Sequence, residues 1–310
     1  MLLHNFPNYF KDLISIVAEE KHLPEAAIER DYYIVYLLKN LVDSQYAEHC
    51  VFKGGTSLSK CYPGSIERFS EDIDLTFLGM ELSDKECDKA IKRIETVMTV
   101  GANTEKINAE RSNRSKSMYV WFESKENKIK LEIGSSVRPD PYSKKPLKTY
   151  IQEYLESKGF TAAIDQYELE KITINVLDIT RTFVDKLMSV KRHAICGTLN
   201  EKVRHIYDIT RLYALPEIQI FLNDRDVLKH LMQITKDTDS FYLSRRGIGD
   251  EYNPIGAYDF PAWKHHLTDD IRATYESLHK DLLYTTEKQR FDDALQALDE
   301  INSILREVGE

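Results

Sequence analysis

The sequence lacks a hydrophobic run long enough to cross a bilayer. Its longest apolar stretch is YYIVYLL at positions 32–38, whereas a transmembrane helix needs about 20 apolar residues. The first residues, MLLHNFPNYFKDL, also lack the basic region followed by an apolar core that marks a secretion signal. We therefore expect neither a membrane-spanning nor a secreted protein.

Cysteine and positive charge are both scarce. The four cysteines are irregularly spaced and form no C-x-x-C pair, which argues against a disulfide framework or a zinc site and favours reduced thiols in the cytoplasm. The 42 basic residues are outnumbered by 51 acidic ones, for a net charge of −9. This balance argues against a generally basic nucleic-acid binder. It leaves room for a local basic face between Arg181 and Arg211, where seven basic residues stand against three acidic ones.

The length of 310 residues suits one large domain or two ordinary ones. Residues 1–171 mix helical and strand patterns, and residues 172–310 are mainly helical apart from a short strand at 172–176. The periodicities predict helices at 7–21, 24–42, 83–100, 178–194, 201–214 and along the C-terminal stripe from Phe291 to Val308, and strands at 50–53, 72–78, 118–122 and 129–133. The predicted fold class is α+β: a mixed β-sheet flanked by helices, followed by a helical domain.

Two aspartates stand out in the predicted strand at 72–78. Because side chains alternate along a strand, Asp72 and Asp74 share one face and the apolar residues between them share the other. Two neighbouring carboxylates repel each other, and a divalent cation offsets that repulsion. Glu132, in the alternating run IKLEI, is a third candidate ligand. The alternative, which is commoner for a D-x-D pattern alone, is an amphipathic strand with a solvated polar face.

A glycine pair precedes this strand. Gly54 and Gly55 follow a short apolar strand, and a helix is expected to begin at Thr56 and Ser57. Glycine allows close approach of the backbone to a phosphate, and a helix N-terminus presents free N–H groups. The flanking lysines, Lys53 and Lys60, would add positive charge. The alternative is a tight turn. A phosphate-binding turn beside a D-x-D strand is the division of labour that nucleotidyl transfer requires.

The strings FKGGTSLSK and RFSEDIDL resemble the signature of the AbiEii/AbiGii toxin family, nucleotidyltransferase-like proteins with the DNA polymerase beta-type fold. The spacer from Gly55 to Asp72 is longer than in many members of that superfamily. The resemblance continues through DITRTFVDKL and KVRHIYDI. It implies that Lys186 contacts nucleotide phosphates and that Arg204 and Asp208, one helical turn apart, shape the cleft. The alternative for the last two is an intrahelical ion pair.

The resemblance implies a metal-dependent nucleotidyltransferase that uses an NTP with Mg²⁺ or Mn²⁺ held by Asp72, Asp74 and Glu132. The acceptor is expected to be RNA, at the 3′ end of tRNA, and the protein to be the toxin of a toxin–antitoxin or phage-defence system with a cognate antitoxin. The stretch from Arg181 to Arg211 and the pair Arg245-Arg246 are candidate RNA contacts. Two alternatives remain: a transferase that modifies a protein or small molecule, and a catalytically inactive nucleotide- or partner-binding member of the fold.

Overall fold

Short alternating strands build the sheet that organises the first part of the chain. The computed structural model describes residues 1–243, 258–285 and 288–309. Its strands are β1 (Cys50–Lys53), β2 (Asp72–Phe77), β3 (Asn103–Lys106), β4 (Ser115–Trp121), β5 (Ile129–Gly134), β6 (Tyr142–Leu147) and β7 (Ile172–Leu177). They form one sheet in the order β3-β4-β5-β2-β1-β7-β6.

The sheet is mixed, as predicted. Strand β2 pairs in parallel with β5 and antiparallel with β1, and β4 and β5 form the antiparallel pair expected from the sequence. The predicted strand at 172–176 pairs in parallel with β1. The two edge strands, β3 and β6, were not predicted from the sequence. Their sequences NTEK and YSKKPL are mostly exposed and carry no apolar alternation, so periodicity gives no sign of them.

The helices of the first part are α1 (Pro7–Lys21), α2 (Glu25–Val42), α3 (Gly54–Cys61), α4 (Asp84–Met98), α5 (Tyr150–Ser157) and α6 (Thr161–Gln166). Helices α2, α3 and α4 of the first part pack against strands of the sheet. The sequence SDKE at 83–86 has the capping-box pattern. The box is formed at the start of α4, where Ser83 and Glu86 satisfy each other's backbone N–H groups. Helix α4 packs against β4 and β5, where Leu131 and Ile133 are buried.

The chain divides into two compact units. The first comprises Met1–Cys61 and Phe69–Leu177, and the second comprises Tyr62–Arg68 and Asp178–Glu310. The helices of the second unit are α7 (Ile179–Ile195), α8 (Val203–Tyr213), α9 (Pro216–Asn223), α10 (Arg225–Leu243), α11 (Phe260–Trp263), α12 (Asp269–Asp281) and α13 (Phe291–Gly309). None of the helices in the described ranges is long and apolar enough to span a membrane.

The C-terminal helix packs inside the second unit. Its predicted stripe is buried at Phe291, Leu298, Ile301 and Leu305, and α13 contacts α8, α10, α11 and α12. The apolar face of α13 is therefore used within the chain. Residues 244–257 lie outside the described part of the chain, and with them the candidate RNA contacts Arg245 and Arg246.

Candidate active site

The two aspartates project from the open face of β2. Ile73 and Leu75 are 0% and 1% exposed, whereas Asp72 and Asp74 are partly exposed. The alternation predicted from the sequence is therefore present in the structure. The open face does not extend to the end of the strand, because Thr76, which has the same parity as the two aspartates, is buried.

Strand register sets a row of charged residues across three strands. Lys53 on β1 is paired with Asp74 on β2, and Asp74 is paired with Glu132 on β5. Directly paired residues place their side chains on the same face of a sheet, with Cβ atoms about 5 Å apart. The sheet thus brings together Lys53, Asp74 and Glu132, three residues predicted from separate motifs.

Lys130 is a member of this face that the sequence reasoning missed. It is paired with Asp72 across β2 and β5, forms an ion pair with Glu132 and lies 2.8 Å from Glu110. Burial alone would lower the pKa of Lys130, but its hydrogen bonds to Glu110 and Glu132 outweigh burial and raise that pKa. The lysine stays charged and offsets part of the carboxylate repulsion. In the sequence, its position two residues before Glu132 could have predicted that the two side chains share a face of the strand.

Gly54 and Asp74 are in direct contact. Gly54 has φ +86°, in the left-handed region, and a Cβ at this position would overlap the Asp74 carboxylate and lie 3.0 Å from its Cγ. A side chain is therefore excluded both by backbone conformation and by the carboxylate. The first glycine of the pair is what allows β1, the turn and the aspartate to come this close.

The helix after the glycines begins two residues earlier than predicted. Helix α3 starts at Gly54 rather than Thr56, so Gly55 lies in its first turn and is buried. The first N–H groups of an α-helix have no acceptor within the helix and are suited to anions. Because Asp74 contacts Gly54, this helix N-terminus lies beside the carboxylates.

The hydroxyl groups of this turn are engaged within the protein. Thr56 Oγ1 lies 2.9 Å from Ser70 Oγ and donates to the Asp72 carbonyl oxygen. Ser57 Oγ donates to the Gly54 carbonyl oxygen at 3.0 Å. Both side chains are buried. They brace the turn, and the nucleotide contacts expected for Thr56 and Ser57 stay predictions.

Of the two lysines that flank the glycine turn, only Lys53 belongs to the carboxylate row. Lys60 was expected to add positive charge near a phosphate, but its side chain is 5% exposed and pairs with Asp31 at 2.5 Å. Its ammonium also lies 4.0 Å from the centroid of the Tyr150 ring. Lys60 therefore belongs to a buried ion pair inside the first unit.

In the second unit, Lys186 and Asp208 form a buried ion pair at 2.7 Å. Arg68 completes the cluster, with Nε and Nη2 donating to the two Asp208 carboxylate oxygens at 2.6 and 2.8 Å. Burial alone would raise the pKa of Asp208, but Arg68 and Lys186 outweigh burial and lower that pKa. Burial lowers the pKa of Lys186 even though Asp208 opposes the shift.

These contacts change the expected character of Lys186 and Asp208. Lys186, for which the resemblance implies a phosphate contact, is buried against a carboxylate within the second unit. Arg68 was missed as a partner of Asp208, although it stands in the quoted string RFSEDIDL. Arg204 is partly buried one helical turn before Asp208. The nucleotide contacts implied for Lys186, Arg204 and Asp208 stay predictions.

The basic stretch is only partly exposed, because three of its seven basic residues, Arg181, Lys186 and Lys191, are buried. Arg181 and Lys191 are 0% and 4% exposed, and Arg181 Nε pairs with Asp185 at 2.8 Å. Arg211 pairs with Glu67 at 2.9 Å. The expectation that Arg181 and Lys191 lie on the surface is wrong, because α7 is buried on most of its circumference. A count of charged residues along the sequence cannot reveal which of them are buried.

The donor set fits magnesium. Within the described residues, no group of three His, Cys, Asp or Glu side chains is arranged to hold a metal ion, and Glu132 is ion-paired to Lys130. Mg²⁺ typically takes one or two protein carboxylates and completes its coordination with substrate phosphates and water. Asp72 and Asp74, on one open face beside a helix N-terminus, supply such a pair. The roles of Asp72, Asp74 and Glu132 as metal ligands stay predictions.

The chain is similar to known nucleotidyltransferase toxins. The family model described as nucleotidyl transferase AbiEii toxin, type IV toxin–antitoxin system, matches residues 36–297. Among solved structures, MenT4, a nucleotidyltransferase toxin from Mycobacterium tuberculosis H37Rv, is 17% identical with a TM-score of 0.52, covering 96% of this chain and 99% of its own. JHP933 from Helicobacter pylori is 19% identical with a TM-score of 0.40, covering 89% and 99%. A comparison with curated proteins found no match.

The likeness to MenT4 confirms the predicted α+β nucleotidyltransferase fold. The family match extends over most of the chain and includes both the glycine turn and the D-x-D strand. The chain therefore belongs to the AbiEii family of nucleotidyltransferase toxins of type IV toxin–antitoxin systems.

Proposed function

We propose that this nucleotidyltransferase moves a nucleotidyl group from an NTP to a hydroxyl of an RNA acceptor, the 3′ end of tRNA, with Mg²⁺ or Mn²⁺ held by Asp72 and Asp74. The observation that carries the proposal is the contact of the Asp74 carboxylate with Gly54 at the start of α3. This contact supports the proposal because carboxylates are ligands for divalent cations and the N–H groups at a helix N-terminus are suited to phosphate. The site would act in the cytoplasm, which suits the four free cysteines.

The residues divide the reaction between them. The turn at Gly54 and Gly55 would bind the β- and γ-phosphates through backbone N–H groups, and Lys53 would add charge beside Asp74. An acceptor hydroxyl oxygen forms a bond to the α-phosphorus, the bond to the bridging oxygen breaks, and pyrophosphate leaves with the electron pair. Glu132, next to Asp74 in the row, would accept the hydroxyl proton. A bound divalent ion supplies stabilisation of the negative charge that develops on the phosphate oxygens.

Transfer assays with single carboxylate variants test this proposal. Wild-type protein and Asp74→Asn are each incubated with every labelled NTP, Mg²⁺ and total RNA, and RNA and protein are separated on gels. We expect label on RNA with the wild type and a loss of about 100-fold or more with Asp74→Asn, because metal stabilisation amounts to several kcal/mol. Circular dichroism should not change, because the side chain lies on the open face.

Glu71→Gln is the matched control. Glu71 is adjacent to Asp72 but has the opposite parity, and it pairs with Arg30 at the surface with 54% of its side chain exposed. Its loss should leave transfer near the wild-type rate. Near-normal turnover in Asp74→Asn would contradict the metal site. Label on protein or a small molecule instead of RNA would support the alternative acceptors.

A further inference from the structure

The open face of the sheet continues beyond the carboxylates onto β4. Tyr119 is paired with Lys130 of β5, which is itself paired with Asp72. Trp121 lies two residues further along β4 and therefore on the same face. Met118 and Val120 are buried on the opposite face, whereas Tyr119 and Trp121 are both partly exposed.

Lysines accompany both aromatic rings. Lys128 Nζ lies 3.8 Å from the centroid of the Tyr119 ring, and Lys125 Nζ lies 5.3 Å from that of Trp121. Lys125 is 57% exposed and also pairs with Glu105 on β3. The rings and ammonium groups form one patch, which we call the β4 patch: Tyr119, Trp121, Lys125 and Lys128.

We propose that the β4 patch binds unpaired nucleotides of the RNA acceptor, with bases stacked on Tyr119 and Trp121 and phosphates beside Lys125 and Lys128. The inference rests on the proposed nucleotidyl transfer to RNA. Aromatic residues on an open sheet are a common platform for single-stranded RNA, because every base has a ring face that can stack. The lysines supply the charge complementary to the RNA backbone.

The position of the patch suits an acceptor strand. Tyr119 and Asp72 lie two strands apart in one row of the sheet, which is about 10 Å at the usual strand spacing. An RNA strand stacked there has its end close to the metal-binding carboxylates. Part of the basic stretch proposed from the sequence is inaccessible to RNA, because Arg181 and Lys191 are buried.

Tryptophan fluorescence gives a direct test. The chain has two tryptophans, and Trp263 is buried, with its Nε1 donating to the Tyr258 carbonyl oxygen at 2.9 Å. Stacking of a base on Trp121 should quench the fluorescence of the full-length protein when a single-stranded RNA oligonucleotide is added. Trp121→Leu should abolish most of the quenching, because only the buried Trp263 remains.

Substitutions separate stacking from charge. Tyr119→Leu and Trp121→Leu should each weaken RNA binding about 5- to 100-fold, the range for loss of one stacked base, without changing its salt dependence. Lys128→Gln should instead reduce the slope of log affinity against log salt by about 1. Tyr142→Leu is the matched control, because Tyr142 lies on the opposite edge strand and is 37% exposed; its affinity should equal that of the wild type.

The outcomes also distinguish this inference from the proposed transfer reaction. Asp74→Asn, which is expected to lose transfer, should keep both RNA binding and quenching. Unchanged affinity in the Tyr119→Leu/Trp121→Leu double variant, or equal affinity for a fully double-stranded RNA, would overturn the platform. Transfer to RNA by the wild type without quenching would overturn the platform alone. Quenching by RNA without transfer from any NTP would support the platform and contradict the transfer reaction.

Discussion

At the scale of single residues, two requirements coincide at position 54. The left-handed backbone conformation of Gly54 favours glycine, and the Asp74 carboxylate occupies the space of a Cβ. The chain offers a residue in which only the first requirement holds. Gly101 has φ +78°, and among the described residues no atom beyond its chain neighbours lies within 4 Å of the place that a methyl group would take. Comparison of substitutions at Gly54 and Gly101 therefore separates the effect of backbone strain from the effect of displacing Asp74.

We predict that Gly54→Ala and Gly101→Ala each lose about 1–2 kcal/mol of unfolding free energy, the cost of a left-handed conformation for a residue with a Cβ. Only Gly54→Ala should also lose transfer, by about 100-fold, because its methyl group must displace Asp74. Urea unfolding and transfer assays measure the two effects. Full activity in Gly54→Ala would show that the contact with Asp74 is not needed for catalysis.

The buried cluster of Arg68, Lys186 and Asp208 supports a second prediction at this scale. Asp208→Asn leaves two buried cations without their counter-charge and should cost about 3–5 kcal/mol of unfolding free energy. Glu307→Gln is the control, because its pair with Arg225 in the same unit is about two-thirds exposed on both sides; it should cost at most about 1 kcal/mol. Equal losses would show that the buried cluster contributes no more than a surface pair.

The same cluster predicts a pH dependence. The pKa of Asp208 is lower in the folded protein than in the unfolded chain, where an aspartate has a pKa of about 3.9. The unfolded state therefore binds more protons as the pH falls below about 4, and the stabilisation by Asp208 is lost progressively. The difference in unfolding free energy between wild type and Asp208→Asn should be constant near neutral pH and should shrink below about pH 4. A difference that grows on acidification would contradict this assignment.

At the scale of elements, β5 shows how one strand separates stability from chemistry. Leu131 is fully buried against the helical layer, and Glu132, the next residue, is 39% exposed on the open face. Because side chains alternate between the two faces of β5, one of these neighbouring residues packs in the core and the other faces the candidate site.

We predict opposite effects for substitutions at these two positions. Leu131→Ala should cost about 2–5 kcal/mol of unfolding free energy by leaving a cavity, while the protein that remains folded keeps its transfer rate per active site. Glu132→Gln should change stability by about 0.5 kcal/mol or less but reduce transfer. Denaturant unfolding combined with active-site titration measures both. A large stability loss with intact transfer in Glu132→Gln would reverse the assignment of the two faces.

At the scale of the whole molecule, the second unit includes a segment taken from the middle of the first. Tyr62–Arg68 groups with Asp178–Glu310, where Arg68 pairs with Asp208 and the backbone N–H of Glu67 donates to the Tyr207 hydroxyl at 3.2 Å. A cut between Leu177 and Asp178 therefore does not release a complete second unit.

We predict that residues 178–310 expressed alone are less stable than the same residues joined to 62–68 by a flexible Gly/Ser linker. The shorter fragment lacks Arg68 and leaves Asp208 with only one of its two cationic partners. The difference should be about 3 kcal/mol or more, measured by urea unfolding followed by circular dichroism. Identical unfolding midpoints would show that 62–68 does not stabilise the unit.

The sequence by itself determined the local features of this protein. The alternation at 72–78 and 129–133 identified which residues share a face, the capping box located the start of α4, and the glycine pair located the turn. These signals are local because strand and helix periods act over a few residues. The family signature lies in the same short segments, so the fold and the enzyme class were predictable.

Only the tertiary structure decided which charges face one another and which are covered. Arg68 and Asp208 are 140 positions apart, Lys60 turns inward to Asp31, and Arg181 is buried although its neighbourhood is basic. Periodicity tells which residues share a face but not what packs against it. A charge is placed at the surface or in the interior by contacts between elements that are distant along the chain, because the cost of burying it depends on the partner brought there by the fold.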